Sequence, residues 1–273
     1  MALVLWLAGA PALAATPAAP GPAVTTPRIA IIIDDIGYSE GRGEQVMTLP
    51  AAITCSVIPR APHAHQLGFD AYQHGKEVII HLPMPALDGR KLDPGDIDAS
   101  MDAAQIGAIL DRAMAILPEA RGINNHMGSA LTAQRLPMQR LMQELRQRHL
   151  FFIDSRTSSA TVAEQVARQM GVRTSRRDVF LDDKRTQADI DRQFETLLRL
   201  ARRHGQAIAI GHPYPETIDY LRQKLPTLKA AGIEVVPVSA LLPAPQDEAA
   251  PAPLQHRPGM AAGTTASPAP ATP

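Results

Sequence analysis

With 273 residues, the chain is long enough for one large α/β domain with a sizeable core. Lys plus Arg and Asp plus Glu each count 27, so no basic field exists to hold nucleic acid or an anionic membrane surface. Cys55 is the only cysteine, which excludes an intramolecular disulfide and a cysteine-based zinc site and leaves histidine and carboxylate to hold any metal.

The first fifteen residues are apolar and end in Ala12-Leu13-Ala14, the small-x-small pattern of a secretory signal, although no Lys or Arg precedes them. The expectation is a signal peptide over 1–15 and a periplasmic or secreted protein. Residues 16–27 form a Pro/Ala linker, and 243–273 return to Pro, Ala, Gly and Thr as a tail, through which an envelope protein partner could be recruited. The folded domain is expected over 28–242.

Within that span, short apolar runs alternate with helical periods. Ile31-Ile32-Ile33 runs into Asp34-Asp35, Ala52 to Ile58 is a second strand, and His63-x-His65 opens an amphipathic helix through Leu67, Phe69 and Tyr72. Val78-Ile79-Ile80 runs into His81 and a proline-bounded turn. A helix from Asp102 to Leu117 stops at Pro118, and Gly122-Ile123 leads into Asn124-Asn125-His126. A helix from about Leu136 to His149 places Leu141, Met142 and Leu145 inward and Arg140, Glu144, Arg146 and Arg148 outward. Then come Phe151-Phe152-Ile153 into Asp154, a weak strand near Val172, a helix from Asp189 to His204, Ile208-Ala209-Ile210-Gly211 into His212, and a last strand over Ile233 to Val238. Strands alternating with helices through right-handed crossovers imply an α/β fold with a parallel sheet, here about seven strands that can close into a (β/α) barrel.

Polar stops just beyond parallel strands are where such folds gather their chemistry. Asp34-Asp35 offers one carboxylate for a metal and a neighbour left free as a base. Asp35, His81 and His126 would make a three-ligand site with an open position, the usual arrangement of catalytic zinc. Asp154, beside Arg156, reads as an orienter of a cation or a histidine, and His212 as a proton donor whose ordinary pKa lies near neutral. Asp182-Asp183-Lys184-Arg185 reads as a solvated turn and Cys55 as packing. Ser56, Ser129 and Ser155 lack a Gly-x-Ser-x-Gly elbow, which disfavours a serine hydrolase.

The ordered motifs Ile33-Asp34-Asp35-Ile36-Gly37, His81-Leu82-Pro83-Met84, Asn124 to Ser129, Asp154-Ser155-Arg156-Thr157 and Gly211-His212-Pro213 resemble the divergent polysaccharide deacetylase family, a branch of the polysaccharide deacetylases with a distorted (β/α) barrel. The resemblance implies Asp34 as base and Asp35 as metal ligand, with His212 as the acid. Typical members of the wider family carry a His-x-x-x-His pair. Here the second position is Pro85, an Arg-Pro-Pro-Tyr motif is absent, and His126 stands as the replacement ligand. The expected protein is an exported amidohydrolase that removes N-acetyl groups from a glycan such as peptidoglycan. It would use a divalent metal, zinc by ligand type, with Asn124, Asn125 and Arg156 contacting substrate and Asp154 orienting Asp34 or His212. The alternative is an inactive envelope module on the same fold, binding glycan or recruiting a partner, which the broken histidine pair favours.

Overall fold

The strands of the computed structural model, which describes residues 26–89 and 95–244, run through the middle of the molecule, with helices on their outer side. In chain order the elements are β1 (Arg28–Ile36), α1 (Glu40–Met47), β2 (Thr54–Val57), α2 (Ala64–Gln73), β3 (Glu77–Met84), α3 (Ala103–Ile116), β4 (Gly122–Met127) and α4 (Arg135–Gln147). There follow β5 (Phe151–Asp154), α5 (Ala163–Gln169), β6 (Thr174–Arg176), β7 (Val179–Phe180), α6 (Gln187–His204), β8 (Gln206–Gly211), α7 (Pro215–Lys224) and β9 (Glu234–Val235). The signal, all of the linker but its last two residues, and the tail beyond Ala244 lie outside the described residues.

Every strand pair is parallel, in the order β6-β5-β4-β3-β2-β1-β8-β7, with β9 paired to the start of β1. The end strands β6 and β7 are consecutive in sequence, separated only by Arg177 and Asp178, so the sheet curls until its two edges meet. Those two residues span the seam: Arg177 N–H bonds to Asp154 O of β5 at 2.9 Å, and Asp178 N–H to Ile208 O of β8 at 2.9 Å. The expected distorted barrel is therefore present. Its nine strands exceed the expected seven or so, and β7 went unforeseen because two residues carry no readable period.

Side-chain alternation divides the core in two. Ile29, Ile31, Ile33, Ile80, Ile123 and Phe152 face the helices, while Ala30, Ile32, Ile79, Ile153, Ile208 and Ile210 fill the barrel interior. Burying each of these large apolar side chains contributes about 1.5–3 kcal/mol against the conformational entropy of ordering the chain. The helices begin and end where their termini find partners. Asp102 and Gln105 form a reciprocal capping box on α3, and Thr186 caps α6, which ends at Gly205 in a left-handed conformation.

Three local readings need correction. On α2 the buried stripe is Ala64, Leu67, Gly68 and Ala71, while Phe69 and Tyr72 are about half exposed; the small Gly68 lets Leu117 approach closely enough to fix that face inward. Glu144 of α4, expected outward, is buried and bonded to Arg148 at 2.7 Å, and Arg148 reaches on to Gly107 O of α3. The turn expected at His81 is strand, since β3 continues through Pro83 to Met84.

Candidate active site

The site sits at the carboxyl ends of the strands, and the pleat decides which side chains enter it. Asp34 follows Ala30 and Ile32 on the interior side of β1, His81 follows Ile79 on β3, and Asn124 and His126 alternate with the outward Ile123 on β4. Asp35 would point to the helices if β1 were regular. Instead Ile33 pairs with Cys55 and Ile36 with Val57, so β1 carries one residue more than β2 over this stretch, and Asp35 takes a left-handed φ of 56°. This bulge turns two successive carboxylates toward one site.

Asp35 Oδ1 lies 3.0 Å from His126 Nδ1 and 3.3 Å from His81 Nε2, and those two nitrogens are 3.1 Å apart. The ligand-to-ligand edge of a tetrahedron with bonds of about 2.0 Å is about 3.3 Å, so the three atoms have the spacing of one face of a tetrahedral metal site. Asp35 Oδ1 is buried and receives no hydrogen bond of good geometry. His81 Nδ1–H donates to Asn124 Oδ1 at 2.7 Å, which leaves the Nε2 lone pair turned toward Asp35 and His126. A carboxylate and two imidazoles meeting in this way fit a divalent cation. Burial opposes ionisation of Asp35, but the two imidazoles outweigh it and hold the carboxyl well below the ordinary range. Burial likewise disfavours a charged His81, and Asp34 and Asp35 overcome that, raising its pKa.

Asn124 links the groups around the triad. It accepts from Ser56 Oγ at 2.7 Å and from His81, and its Nδ2 donates to Asp34 Oδ1 at 2.7 Å. Asp34 Oδ2 stays 3.6 Å from His81 Nε2, beside the ligand triangle. Across the site His212 follows β8. Its backbone N–H and Nδ1–H donate to the two oxygens of Asp182, at 2.6 and 2.9 Å, and Thr217 Oγ1 donates to Asp182 Oδ2 at 2.8 Å. His212 Nε2 is thereby aimed inward, 3.9 Å from Asp35 Oδ2. Burial works against the imidazolium, but the hydrogen bond and charge of Asp182 prevail and hold its pKa up to about 8. A cleft of about 400 Å³ exposes Asp34, Asp35, His81, His126 and His212, with Arg156, Arg177 and Asp183 on its wall.

Two expected roles fail on contacts. Asn124 is fully buried with its carboxamide spent on Ser56, His81 and Asp34, whereas Asn125 lines the cleft and bonds Met127 O and Ser155 N–H at 2.8 and 2.9 Å. Asp154 lies on the outward side of β5 with Phe152. It accepts from Arg156 N–H and Thr161 Oγ1, both at 2.9 Å, and so holds the β5–α5 loop rather than Asp34 or His212. Asp182, dismissed as part of a solvated turn, is the residue that orients His212. Its signal was one apolar residue before it, Leu181, which continues the buried line of Val179. Arg177 was also missed.

Residues 31–242 match the description "divergent polysaccharide deacetylase". The chain is 42% identical over 201 residues to an uncharacterised protein of Haemophilus influenzae, covering 74% of this chain and 72% of that one. The chain belongs to the divergent polysaccharide deacetylase family. Over 219 residues it is likewise 42% identical to the uncharacterised protein YibQ of Escherichia coli, covering 80% of this chain and 68% of that one. An uncharacterised protein of Agrobacterium tumefaciens C58, solved by crystallography, superposes with a TM-score of 0.76 at 27% identity, covering 81% of this chain and 92% of that one. β4, hydrogen-bonded beside β3, brings His126 to the site next to His81 and Asp35.

Proposed function

We propose that the protein is an exported, metal-dependent amidohydrolase that removes N-acetyl groups from an amino-sugar polymer of the cell envelope. The observation that carries this reading is the Asp35–His81–His126 triangle, with a separately held carboxylate, Asp34, on one side and a separately held imidazole, His212, on the other. A divalent cation held by the triangle, zinc by donor type, would supply Lewis-acid polarisation of an amide carbonyl. Asp34, fixed by Asn124, removes the proton from the attacking water. His212, kept in one tautomer by Asp182, gives its Nε2 proton to the departing amine. The leader-like stretch over 1–15 supports export.

The test is metal analysis of the purified protein beside acetate release from N-acetylated glycan fragments, with and without chelator. One metal per chain and chelator-sensitive release are expected. Metal without release on any amino-sugar amide would overturn the substrate assignment. A metal-free native protein that still binds glycan would establish the inactive module, the reading that Pro85 favours.

The acid role also predicts a pH profile. His212 must be protonated to act, so kcat/KM should fall as pH rises through about 8. In Asp182→Asn the imidazolium loses its partner charge, and this alkaline limb should move to lower pH with a lower plateau. An unmoved limb would remove His212 as the acid.

A further inference from the structure

Arg177 and Arg156 line the cleft together, and only one of them is tied down. Arg177 donates Nε–H to Ser155 O at 2.7 Å and an Nη2–H to Arg156 O at 2.8 Å, with its guanidinium 4.9 Å over the Phe180 ring. It thus clamps the short segment that presents Arg156. Arg156 has a left-handed φ of 50°, stabilised by its N–H bond to Asp154. Its half-buried guanidinium makes no hydrogen bond or ion pair to any described residue.

Burial acts against the Arg177 cation most strongly and the neighbouring Arg156 charge adds to it, while Asp34, Asp154 and Asp183 act in its favour, so the two guanidinium groups sit close together at a partly desolvated wall. The nearby carboxylates, including the exposed Asp183 on the same wall, form no ion pair with Arg156 among the described residues. Asp154 is spent on the β5–α5 loop, Asp34 on Asn124, and Asp35 on the histidines. Such an arginine has its fork preorganised for a planar anion and gains most when it meets one.

We propose that Arg156, held by Arg177, reads a carboxylate on the substrate, so that the preferred substrate is an acidic N-acyl amino sugar rather than a neutral one. The identity of the scissile amide rests on the deacetylase reading; the charge preference rests on the two arginines alone.

The test is calorimetric binding of a disaccharide containing N-acetylmuramic acid, whose lactyl ether carries a carboxylate, against its methyl ester. The full chain is used, metal-free and metal-loaded, as wild type, Arg156→Gln and Arg156→Lys. The acid should bind wild type about tenfold or more tighter than the ester, as befits a hydrogen bond to a charged group. Arg156→Gln should bring the ratio to about one, while Arg156→Lys keeps part of it by retaining charge without the fork. Equal affinities in wild type, an advantage that survives Arg156→Gln, or no binding by either compound would overturn the proposal. Acetate release is scored separately. Arg156-dependent binding without release leaves this inference standing and sinks deacetylation, whereas equally efficient release from acid and ester does the reverse.

Discussion

Asp34→Asn is expected to lower turnover by about 10²–10⁴-fold, the range for loss of a positioned general base, while metal content stays at the wild-type level. The substitution is nearly isosteric, and an Asn side chain can still present an oxygen to Asn124 Nδ2, which lies 2.7 Å from Asp34 Oδ1. The fold and the triangle should therefore survive. Asp34 is not part of the group formed by Asp35, His81 and His126, so uptake of zinc should be unaltered. Turnover and metal content measured on one preparation separate the two roles. Retained turnover would remove Asp34 as base, and lost metal would place it among the ligands.

Asn124→Ala should be the most damaging change at a residue that touches neither solvent nor the cleft. One carboxamide satisfies Ser56, His81 and Asp34, all of them buried. Truncation leaves each without its partner at about 1–3 kcal/mol per group, and frees the His81 ring that the hydrogen bond orients. Apparent zinc affinity should fall about 10–100-fold, as for lost outer-shell partners, and the melting temperature should drop. Asn124→Asp makes a sharper comparison. It keeps the acceptor for His81 but puts a second carboxylate against Asp34, which would raise the pKa of the pair. Zinc affinity should then be largely retained while the acidic limb of the activity profile moves to higher pH. Wild-type zinc affinity and stability in Asn124→Ala would show that the ring and the base are held by other contacts.

The architecture was legible because isoleucine-rich runs and helical periods repeat through the chain, and each strand ending announced a polar residue. Which of those residues enter the site was less so. Asp154 reads as part of it from its place at a strand end, yet alternation from Phe152 turns it outward. Counting the pleat from Phe152 separates it from His81 and Asn124. Asp35 shows the opposite failure, since a regular pleat would exclude it and only the bulge admits it. Asp182 and Arg177 belong to the stretch from 174 to 186, where strands of two or three residues leave nothing periodic to read.

The seam between β6 and β7 bears on how the protein behaves in crowded company. A parallel sheet that stayed open would offer two rows of unpaired backbone groups as templates for strands of other molecules. Here the edge strands have three and two residues, and a single connector bonds to β5 on one side and β8 on the other. The edges left to another molecule at β6 and β7 are therefore only three and two residues long, too short to template an extended strand.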